Sequence, residues 1–463
     1  MRLRRIFFLL LLPVFLVYLN SFSGVFQFDD YNVIVHNPVV HSWPAWIADL
    51  SHGIRPALKF TYMMNWISGM GTFGFHLFNL LVHMTNVMLF YVLAQKFTRH
   101  CSDRVTSAPF GKAAFWAALL FALHPVQTEA VTYISGRSSS LMSMFYLASI
   151  LAYTQGTEEN KPLVHYFISS FFFLMAVLTK EIAITLPFAL LLWERVCRPG
   201  KNWRTALKGQ AFHWLLLIAI CFIILGHPGY VNMLNVSFET RGLRENLFSQ
   251  INAITYLISR FFLINRLNID PDLPVLSSWS LRLGTEAVLL SSFIIIGLLS
   301  LKNKPWLGFG ILWFLLHLLP TNSVVPRLDV VNERQLYLAS CGIFLAFAME
   351  GERLLGAARA KQRFSGAVIV SLAIALFITL GYFTVARNQT YRSEIALWED
   401  VTRKSPNNAR GYNNLGYAFA TVGRIADAKR AYATALSIRP DYALARANLA
   451  GISDTESLEF QRR

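Results

Sequence analysis

Two adjacent carboxylates, Asp29 and Asp30, follow the first apolar segment of the chain in the aromatic stretch FQFDDYN. A carboxylate so placed can take the proton of an attacking hydroxyl group, as a general base does. The pair can also hold a divalent cation through its oxygens, and this alternative stays open at the level of sequence. An exposed acidic helix cap is the purely structural alternative. The aromatic surroundings favour the chemical roles.

Arg and Lys side chains complement such a base, because they stabilise an anionic leaving group. Arg334, Lys180 and Arg137 are the candidates for this role. A local salt bridge or a simple helix boundary is the competing interpretation for these positions. The other polar residues of interest, most of them at the ends of apolar segments, are His124, Glu129, Arg55, Glu181, Glu333, Tyr337 and Arg387.

The composition predicts that membrane helices position these residues. Of the 463 residues, 54% are hydrophobic and 15% are charged, and the mean hydropathy is +0.43. Soluble domains carry about 25% charged residues, so a soluble core does not account for this much apolar surface. The apolar residues form blocks close to the ~20 residues that cross a bilayer. About eleven crossings are predicted, at 5–20, 74–95, 113–124, 139–154, 164–179, 182–195, 211–226, 284–300, 306–320, 336–350 and 366–386.

The positions of Lys and Arg predict which loops face outward, since positive loops stay in the cytoplasm. Basic stretches at 2–5, 96–112, 195–208, 302–304 and 353–363 are therefore assigned to the cytoplasmic side. Segment 247–266 is apolar but contains Arg260 and Arg266, and we expect an interfacial helix there. Loops 21–73 and 227–283 are then external parts of a membrane domain that covers residues 1–386. Much of the net charge of +16 lies in the cytoplasmic loops, so it does not indicate nucleic-acid binding.

Residues 387–463 differ in kind, because they are polar and show a repeat. Pro406 and Pro440 are 34 residues apart, the period of a tetratricopeptide repeat. One full repeat is predicted at 409–442 with a partial repeat on each side. Its characteristic positions are filled by Tyr412, Leu415, Gly416, Phe419, Ala428, Tyr432, Ala435 and Pro440. Repeat modules normally need about three repeats to be stable alone, so this one is expected to lean on the membrane domain or on a partner.

Several blocks, taken in order, resemble one known family. They are FQFDDYNVIVHNPVV, RPALKFTYMMNW, FGFHLFNLLVH, LFALHPVQTEAVTYISGRSSSL, LTKEIAITLP, LWFLLHLLPTNSVVP, NERQLYLAS and ARNQTYRSEIALWEDVTRKSPNNARGYNNLGYAF. This order resembles the transmembrane and tetratricopeptide-repeat-containing O-mannosyltransferases of the GT-C glycosyltransferase superfamily. The resemblance covers nearly the whole chain. It implies an all-α fold, in which a polytopic membrane bundle of GT-C type carries a short C-terminal tetratricopeptide-repeat module.

The resemblance also implies an enzyme that takes one sugar from a polyprenyl-phosphate carrier and transfers it, with inversion, to a protein hydroxyl. Asp29 is then the expected base and Asp30 the residue that positions it. His124 and Glu129 are expected to line the acceptor side, and Arg55, Glu181, Glu333 and Tyr337 the remaining pocket. A divalent cation, Mg or Mn, at the two aspartates is the alternative, and no cofactor is claimed. The partners implied are the lipid-linked donor, a protein or peptide acceptor and a protein on the repeat module.

The chain departs from the family pattern in two places. The block NERQLYLAS keeps Glu333, Arg334 and Tyr337 but has Gln335 where the family has an aromatic residue, which leaves the donor sugar open. The short repeat region resembles compact bacterial members, which places the module in the periplasm on an inner-membrane enzyme. In a eukaryotic host the same topology would place it in the lumen of the endoplasmic reticulum.

Two other classes of protein fit part of the pattern. A membrane-anchored scaffold would use the repeat module to recruit partners without catalysis, and Asp29 would then be dispensable. A lipid-linked sugar flippase or transporter would place its ionisable residues near the bilayer midplane, often on repeated halves. The ionisable residues here fall at external helix ends, and the spans show no internal duplication. The enzyme is the favoured hypothesis.

Overall fold

The computed structural model describes residues 3–105, 110–158, 162–200, 202–360 and 365–461, whose regular structure is helical. The basic positions 2, 201, 361 and 363 of the predicted cytoplasmic stretches lie outside these ranges. The α-helices are α1 (Leu3–Tyr18), α2 (Trp43–Asp49), α3 (Pro56–Ile67), α4 (Gly71–Val105), α5 (Ala113–Leu123), α6 (Thr128–Val131), α7 (Arg137–Glu158), α8 (Pro162–Thr179), α9 (Leu186–Cys197), α10 (Trp203–Gly209), α11 (Ala211–Gly226), α12 (Pro228–Thr240), α13 (Leu243–Ser259), α14 (Leu281–Asn303), α15 (Pro305–Leu318), α16 (Leu336–Ala360), α17 (Gly366–Gln389), α18 (Glu394–Lys404), α19 (Ala409–Thr421), α20 (Ile425–Ile438) and α21 (Ala443–Gln461).

Each apolar block predicted to cross the membrane overlaps one of these helices. By length and composition, 4 helices of the described chain can span a bilayer, namely α1 with the turn after it, α4, α14 and α17. The pair α10–α11, bent by 67°, becomes a fifth if it forms one span. Helices α5, α8 and α15 are apolar but shorter. A membrane-type helical domain is thus observed, and the figure of about eleven crossings stays a prediction.

Helix α16, which follows the turn that carries Arg334, is held by a close helix contact. Helix α16 packs against α5 and α15. A Cβ atom on Gly310 of α15 would lie 2.5 Å from the Gly342 carbonyl oxygen of α16, and one on Gly342 would lie 2.6 Å from the Gly310 oxygen. Small residues permit this approach of two backbones, which an added side chain would force apart. The contact therefore fixes α16 and the short helical turn Glu333–Gln335 before it.

The segment predicted to be interfacial, 247–266, contains most of α13 and a turn at Ile264–Arg266, and its position at the membrane surface stays a prediction. The buried face of α13 is polar and bonds to the segment between α15 and α16. The amide of Asn246 donates to the carbonyl oxygen of Ser323 at 2.8 Å, and the amide of Asn322 donates to Gln250 at 2.8 Å. These bonds hold the 319–331 segment against α13.

Helices α18 to α21 form a C-terminal helical module in which each helix packs on the next. Ser393 caps α18, since its hydroxyl accepts a hydrogen bond from the Ala396 N–H at 3.2 Å. In the predicted repeat, Gly416 of α19 lies against the Tyr432 ring of α20, where a Cβ atom would approach ring carbons to 2.7 Å. The two helices match the predicted repeat at 409–442, whose assignment as a tetratricopeptide repeat stays a prediction.

Candidate active site

The loop after α1 presents one aspartate and buries the other. Both oxygens of Asp30 accept backbone N–H groups, from Gln27 at 3.0 Å and Ser135 at 2.8 Å, and its side chain is buried. Burial raises the pKa of Asp30 to about 7. The Asp29 N–H donates to the Tyr133 hydroxyl at 2.8 Å, and the Asp29 side chain keeps 36% of its exposure. Asp29 is thus available to a substrate, while Asp30 anchors the loop.

The backbone just before Asp29 is strained. Phe28 has a φ of +49°, a conformation that costs a residue with a bulky side chain of order 1 kcal/mol or more. The Phe28 ring meets the Trp398 ring of α18 edge to face, with centroids 5.2 Å apart. Packing on the C-terminal module therefore offsets the strain that aims Asp29.

Arg334 joins Asp29 from a position 305 residues away in sequence. Its guanidinium lies 3.4 Å from Asp29 Oδ2 and 3.7 Å from Glu129 Oε1, and its backbone N–H donates to Glu129 Oε2 at 3.0 Å. The guanidinium also lies 5.9 Å from the centre of the Tyr133 ring. Burial raises the pKa of Glu129 to about 7, although Arg334 opposes this shift. Burial would lower the pKa of Arg334, but Glu129 and Asp29 outweigh it and raise it.

Only glycine fits at position 136, at the end of the turn that carries Glu129 and Tyr133. A Cβ atom on Gly136 would lie 1.9 Å from the Glu129 carbonyl oxygen, so no other residue fits without moving this backbone. Gly136 belongs to the stretch HPVQTEAVTYISGR, which supplies both the Ser135 N–H that holds Asp30 and the Glu129 carboxylate that holds Arg334. This stretch therefore connects the aspartate loop to the arginine.

A second pair, Arg55 and Glu181, lies beside this site. Two nitrogens of Arg55 contact the two Glu181 carboxylate oxygens at 2.8 and 2.9 Å, across 126 positions of sequence. Burial would raise the pKa of Glu181, but Arg55 lowers it overall. Arg55 has a φ of +57° and precedes Pro56, the first residue of α3. Glu181 therefore neutralises the charge of Arg55 beside the site.

Lys180 is a buried cation without such compensation. Its ammonium donates to the Ser139 hydroxyl at 2.8 Å, and the side chain is 6% exposed. No carboxylate of the described residues forms an ion pair with it within 4.0 Å. Burial lowers the pKa of Lys180 well below its ordinary value, and the nearby guanidinium groups of Arg334, Arg55 and Arg327 lower it further. Such a site favours a bound anion.

Arg327 is a fourth cation of this group, and the sequence analysis missed it. Burial lowers its pKa to about 10, with further lowering from Arg334 and Arg55. Among the described residues, no hydrogen bond or ion pair to its guanidinium is found, although Asp329 and Glu181 lie near enough to act on its pKa. A signal was available, since Arg327 follows Pro326 in a loop between apolar segments, much as Arg55 precedes Pro56.

Curated relatives resemble the chain over most of its length. A protein O-mannosyl-transferase of Caenorhabditis elegans is 28% identical over 454 residues, which are 92% of this chain and 61% of the relative. Tmtc3 of Drosophila melanogaster is 26% identical and human TMTC3 25% identical, each over 92% of this chain and over 54% and 50% of the relative. The chain is a relative of the TMTC protein O-mannosyl-transferases. The resemblance predicted from the sequence is confirmed.

The chain spans about half to three fifths of the length of these TMTC relatives. No family model matches it, and no solved structure does. The identities therefore support the family resemblance, while the activity of this chain depends on its own site.

Four candidate residues have their polar atoms occupied away from the Asp29 and Arg334 pair. Arg137 donates from all three guanidinium nitrogens, at 2.6 to 3.3 Å, to Asn79, Thr61 and Phe75. His124 bonds through both ring nitrogens to backbone groups at 3.1 and 3.2 Å. Glu333 accepts the Tyr256 hydroxyl at 2.8 Å and the Asn268 N–H at 3.0 Å, and the Tyr337 hydroxyl contacts His83 at 2.7 Å and Asn86 at 3.1 Å.

The geometry of the two aspartates does not favour a divalent cation. Asp30 already accepts two backbone N–H groups, and Arg334 lies against Asp29. A cation shared by both residues would have to share the Asp30 oxygens with these donors and lie close to the Arg334 guanidinium. Among the described residues, no cluster of three or more His, Cys, Asp or Glu side chains could hold a metal ion.

The C-terminal module is locked to the membrane domain around this site. Asp400 of α18, which is buried, accepts Arg387 of α17 at 2.6 Å. Arg410 of α19 bonds Asp270 at 2.6 and 2.8 Å and Asp329 at 2.8 Å. The Arg387–Asp400 pair is buried, where losing one partner is strongly destabilising, whereas the Arg410 side chain keeps 36% of its exposure. The module is therefore a fixed wall of the site.

Proposed function

We propose that the chain is an inverting glycosyltransferase. It moves mannose, or a similar single sugar, from a polyprenyl phosphate to a Ser or Thr hydroxyl of a protein on the extracytoplasmic side. The observation that carries the proposal is the meeting of an accessible carboxylate, Asp29, with Arg334 beside the uncompensated cations Lys180 and Arg327. The printed names of the TMTC relatives, protein O-mannosyl-transferase, support the sugar and the acceptor class.

The reaction needs one proton acceptor and one leaving-group site. Asp29 takes the proton of the acceptor hydroxyl as its oxygen attacks the anomeric carbon. The bond from that carbon to the phosphate oxygen breaks, and its electron pair leaves with the polyprenyl phosphate. The phosphate departs as an anion, so cations stabilise it without a general acid. Attack from the face opposite the phosphate inverts the anomeric carbon.

Arg334 suits the position between base and phosphate. It contacts Asp29 on one side, and it is close enough to Lys180 and Arg327 to lower the pKa of both. The planar guanidinium of an arginine holds its N–H donors in a fixed fan, so that it can contact two anionic groups at once. The ammonium of a lysine has no such fixed arrangement. Arg334 therefore orients the base and faces the leaving group at once.

A bound phosphate would supply a counter-charge to Lys180 and Arg327. Burial and the neighbouring guanidinium groups lower the pKa of both, and an anion beside them would raise it again. Among the described residues neither has an ion-pair partner within 4.0 Å, whereas Arg55 is matched by Glu181. The favoured phosphate ligands are thus Arg334, Lys180 and Arg327, with Arg137 in a supporting role because its donors are already used.

The membrane supplies the donor in this proposal. A polyprenyl chain stays in the bilayer and brings its phosphate sugar to the external helix ends, where these residues lie. The acceptor protein arrives from the aqueous side, beside the C-terminal module, which also offers a surface for a protein partner. In a bacterial host this side is the periplasm, and in a eukaryotic host it is the lumen of the endoplasmic reticulum.

The test is transfer by the purified full chain. Radiolabelled polyprenyl phosphate mannose is incubated with the protein and with a set of Ser- and Thr-containing peptides. Label that moves to peptide, is released by mild base and is attached with inverted configuration supports the proposal. A folded protein that transfers no label from polyprenyl phosphate mannose or from other polyprenyl phosphate hexoses refutes it.

A further inference from the structure

A small cavity lies beside Arg334. It is lined by Ser139, Met142, Ser143, Ile182, His317, Arg334, Gln335 and Leu338, and it has room for about one water molecule. Arg334, which lines it, also contacts Asp29, and the Ser139 hydroxyl on its wall accepts a hydrogen bond from the Lys180 ammonium. The cavity thus lies between two of the cations assigned to the donor phosphate.

Two buried side chains of this cavity lack hydrogen-bond partners. Gln335 is 6% exposed, and neither its amide nitrogen nor its amide oxygen has a partner among the described residues. His317 is also 6% exposed, and its Nε2 atom has no partner in the same part of the chain. Buried polar groups are nearly always hydrogen-bonded, so three such atoms at one cavity indicate that it binds a polar group.

The hydrogen bonds of His317 define what that ligand must donate. Its Nδ1 atom lies 2.7 Å from the carbonyl oxygen of Trp313, so Nδ1 carries the hydrogen. No carboxylate lines the cavity to hold a second proton on the ring. Nε2 is therefore an acceptor and requires a hydrogen from its partner. A hydroxyl group can donate to Nε2 and at the same time accept from the Gln335 amide.

We infer that this cavity receives one hydroxyl group of the donor sugar and that Gln335 and His317 select the sugar by it. The inference rests on the proposed function, because it places the sugar between Asp29 and the phosphate cations. The cavity is too small for a whole hexose, so only one hydroxyl or hydroxymethyl group enters while the ring stays on the Asp29 side of Arg334. A water molecule bound permanently in the cavity is the alternative source of the same hydroxyl chemistry.

The test is a donor series in the wild type and in Gln335→Leu, with the purified full chain. The donors are polyprenyl phosphate mannose and its 2-, 3-, 4- and 6-deoxy analogues, and kcat/KM for transfer to one peptide is measured for each. In the wild type, one deoxy donor is expected to lose about 10- to 100-fold, since it leaves buried polar groups unpaired. In Gln335→Leu that same loss is expected to shrink to a few-fold or less, because the paired group is gone.

The comparison does not depend on how much of the variant folds. Each value is a ratio of two donors in one protein sample, so the active fraction cancels. Gln95→Leu is the matched control, because Gln95 bonds Tyr91 in α4 away from the cavity and is expected to keep the wild-type ratios. Transfer of mannose with deoxy ratios that Gln335→Leu does not change assigns the cavity to water and overturns the inference alone. Absence of transfer from any donor overturns the proposed function, and the inference falls with it.

Discussion

Replacement of Asp29 by Asn separates catalysis from folding at this site. The change removes the only property that the mechanism asks of Asp29, the capacity to take a proton, and keeps its size. The Asp29 N–H bond to Tyr133 is made by the backbone, so the substitution leaves it intact. The loop stays anchored through Asp30, whose two backbone partners are unchanged.

The two expected effects differ enough in size to be told apart. General base catalysis contributes about 10²- to 10⁴-fold, or about 3 to 5 kcal/mol of transition-state stabilisation. The Asp29 contact with Arg334 is 3.4 Å long, and the aspartate side chain keeps 36% of its exposure. A partly exposed pair of this kind contributes about 1 kcal/mol or less to folding. Transfer is therefore expected to fall at least a hundredfold with little change in stability.

The assay is transfer of radiolabelled mannose from polyprenyl phosphate mannose to a Ser or Thr peptide, alongside thermal unfolding of the same preparation. Asp49→Asn is the matched control, because Asp49 lies in the same segment between α1 and α4 and pairs with Lys59 at 2.5 Å, away from the site. It is expected to keep wild-type transfer. An Asp29→Asn protein that unfolds normally yet keeps more than a tenth of wild-type transfer would refute the assignment of Asp29 as the base.

Three further substitutions probe the elements around the base. Asp30→Asn is expected to lower stability by about 1 to 3 kcal/mol, because the amide cannot accept both backbone N–H groups; unfolding no easier than that of wild type would contradict the anchoring role. Arg327→Leu is expected to raise the donor KM about 10- to 100-fold with little loss of stability, since its guanidinium forms no ion pair within 4.0 Å among the described residues; an unchanged KM would remove Arg327 from the phosphate site. Trp398→Ala is expected to reduce transfer by releasing Phe28, with the exposed Trp203→Ala as control, and equal transfer by the two variants would show that α18 does not support the base.

Helix positions were largely accessible from sequence, because apolar run length is a local property. The blocks at 74–95, 284–300 and 366–386 lie within α4, α14 and α17, which are long enough to cross a membrane. The blocks at 113–124 and 306–320 became α5 and α15, which are shorter than a full span. Run length alone does not say how a short apolar helix sits in the bundle, because neighbouring helices decide that.

The pairing of site residues was not accessible, because it depends on contacts between distant parts of the chain. Asp29 and Asp30 are equivalent by residue type, and only the family resemblance distinguished base from positioning residue; the N–H groups of Gln27 and Ser135 give the physical reason that Asp30 is the anchor. Arg137 was a candidate phosphate ligand, yet its donors are taken by Asn79, Thr61 and Phe75. Lone charges show their roles only when it is known which of them remain unpaired.

The position of the C-terminal module changes what its loss would mean. A repeat module is usually considered a recruiting device, and deleting it is used to test partner recognition. Here α18 contacts Phe28 directly, and the Gln27 amide donates to the Tyr391 carbonyl oxygen at 2.5 Å. Deletion of the module would therefore release the strained loop that aims Asp29, whatever the acceptor. Loss of transfer after such a deletion is evidence for acceptor recognition only if substitutions on the outer faces of α19 and α20, away from Phe28, have the same effect.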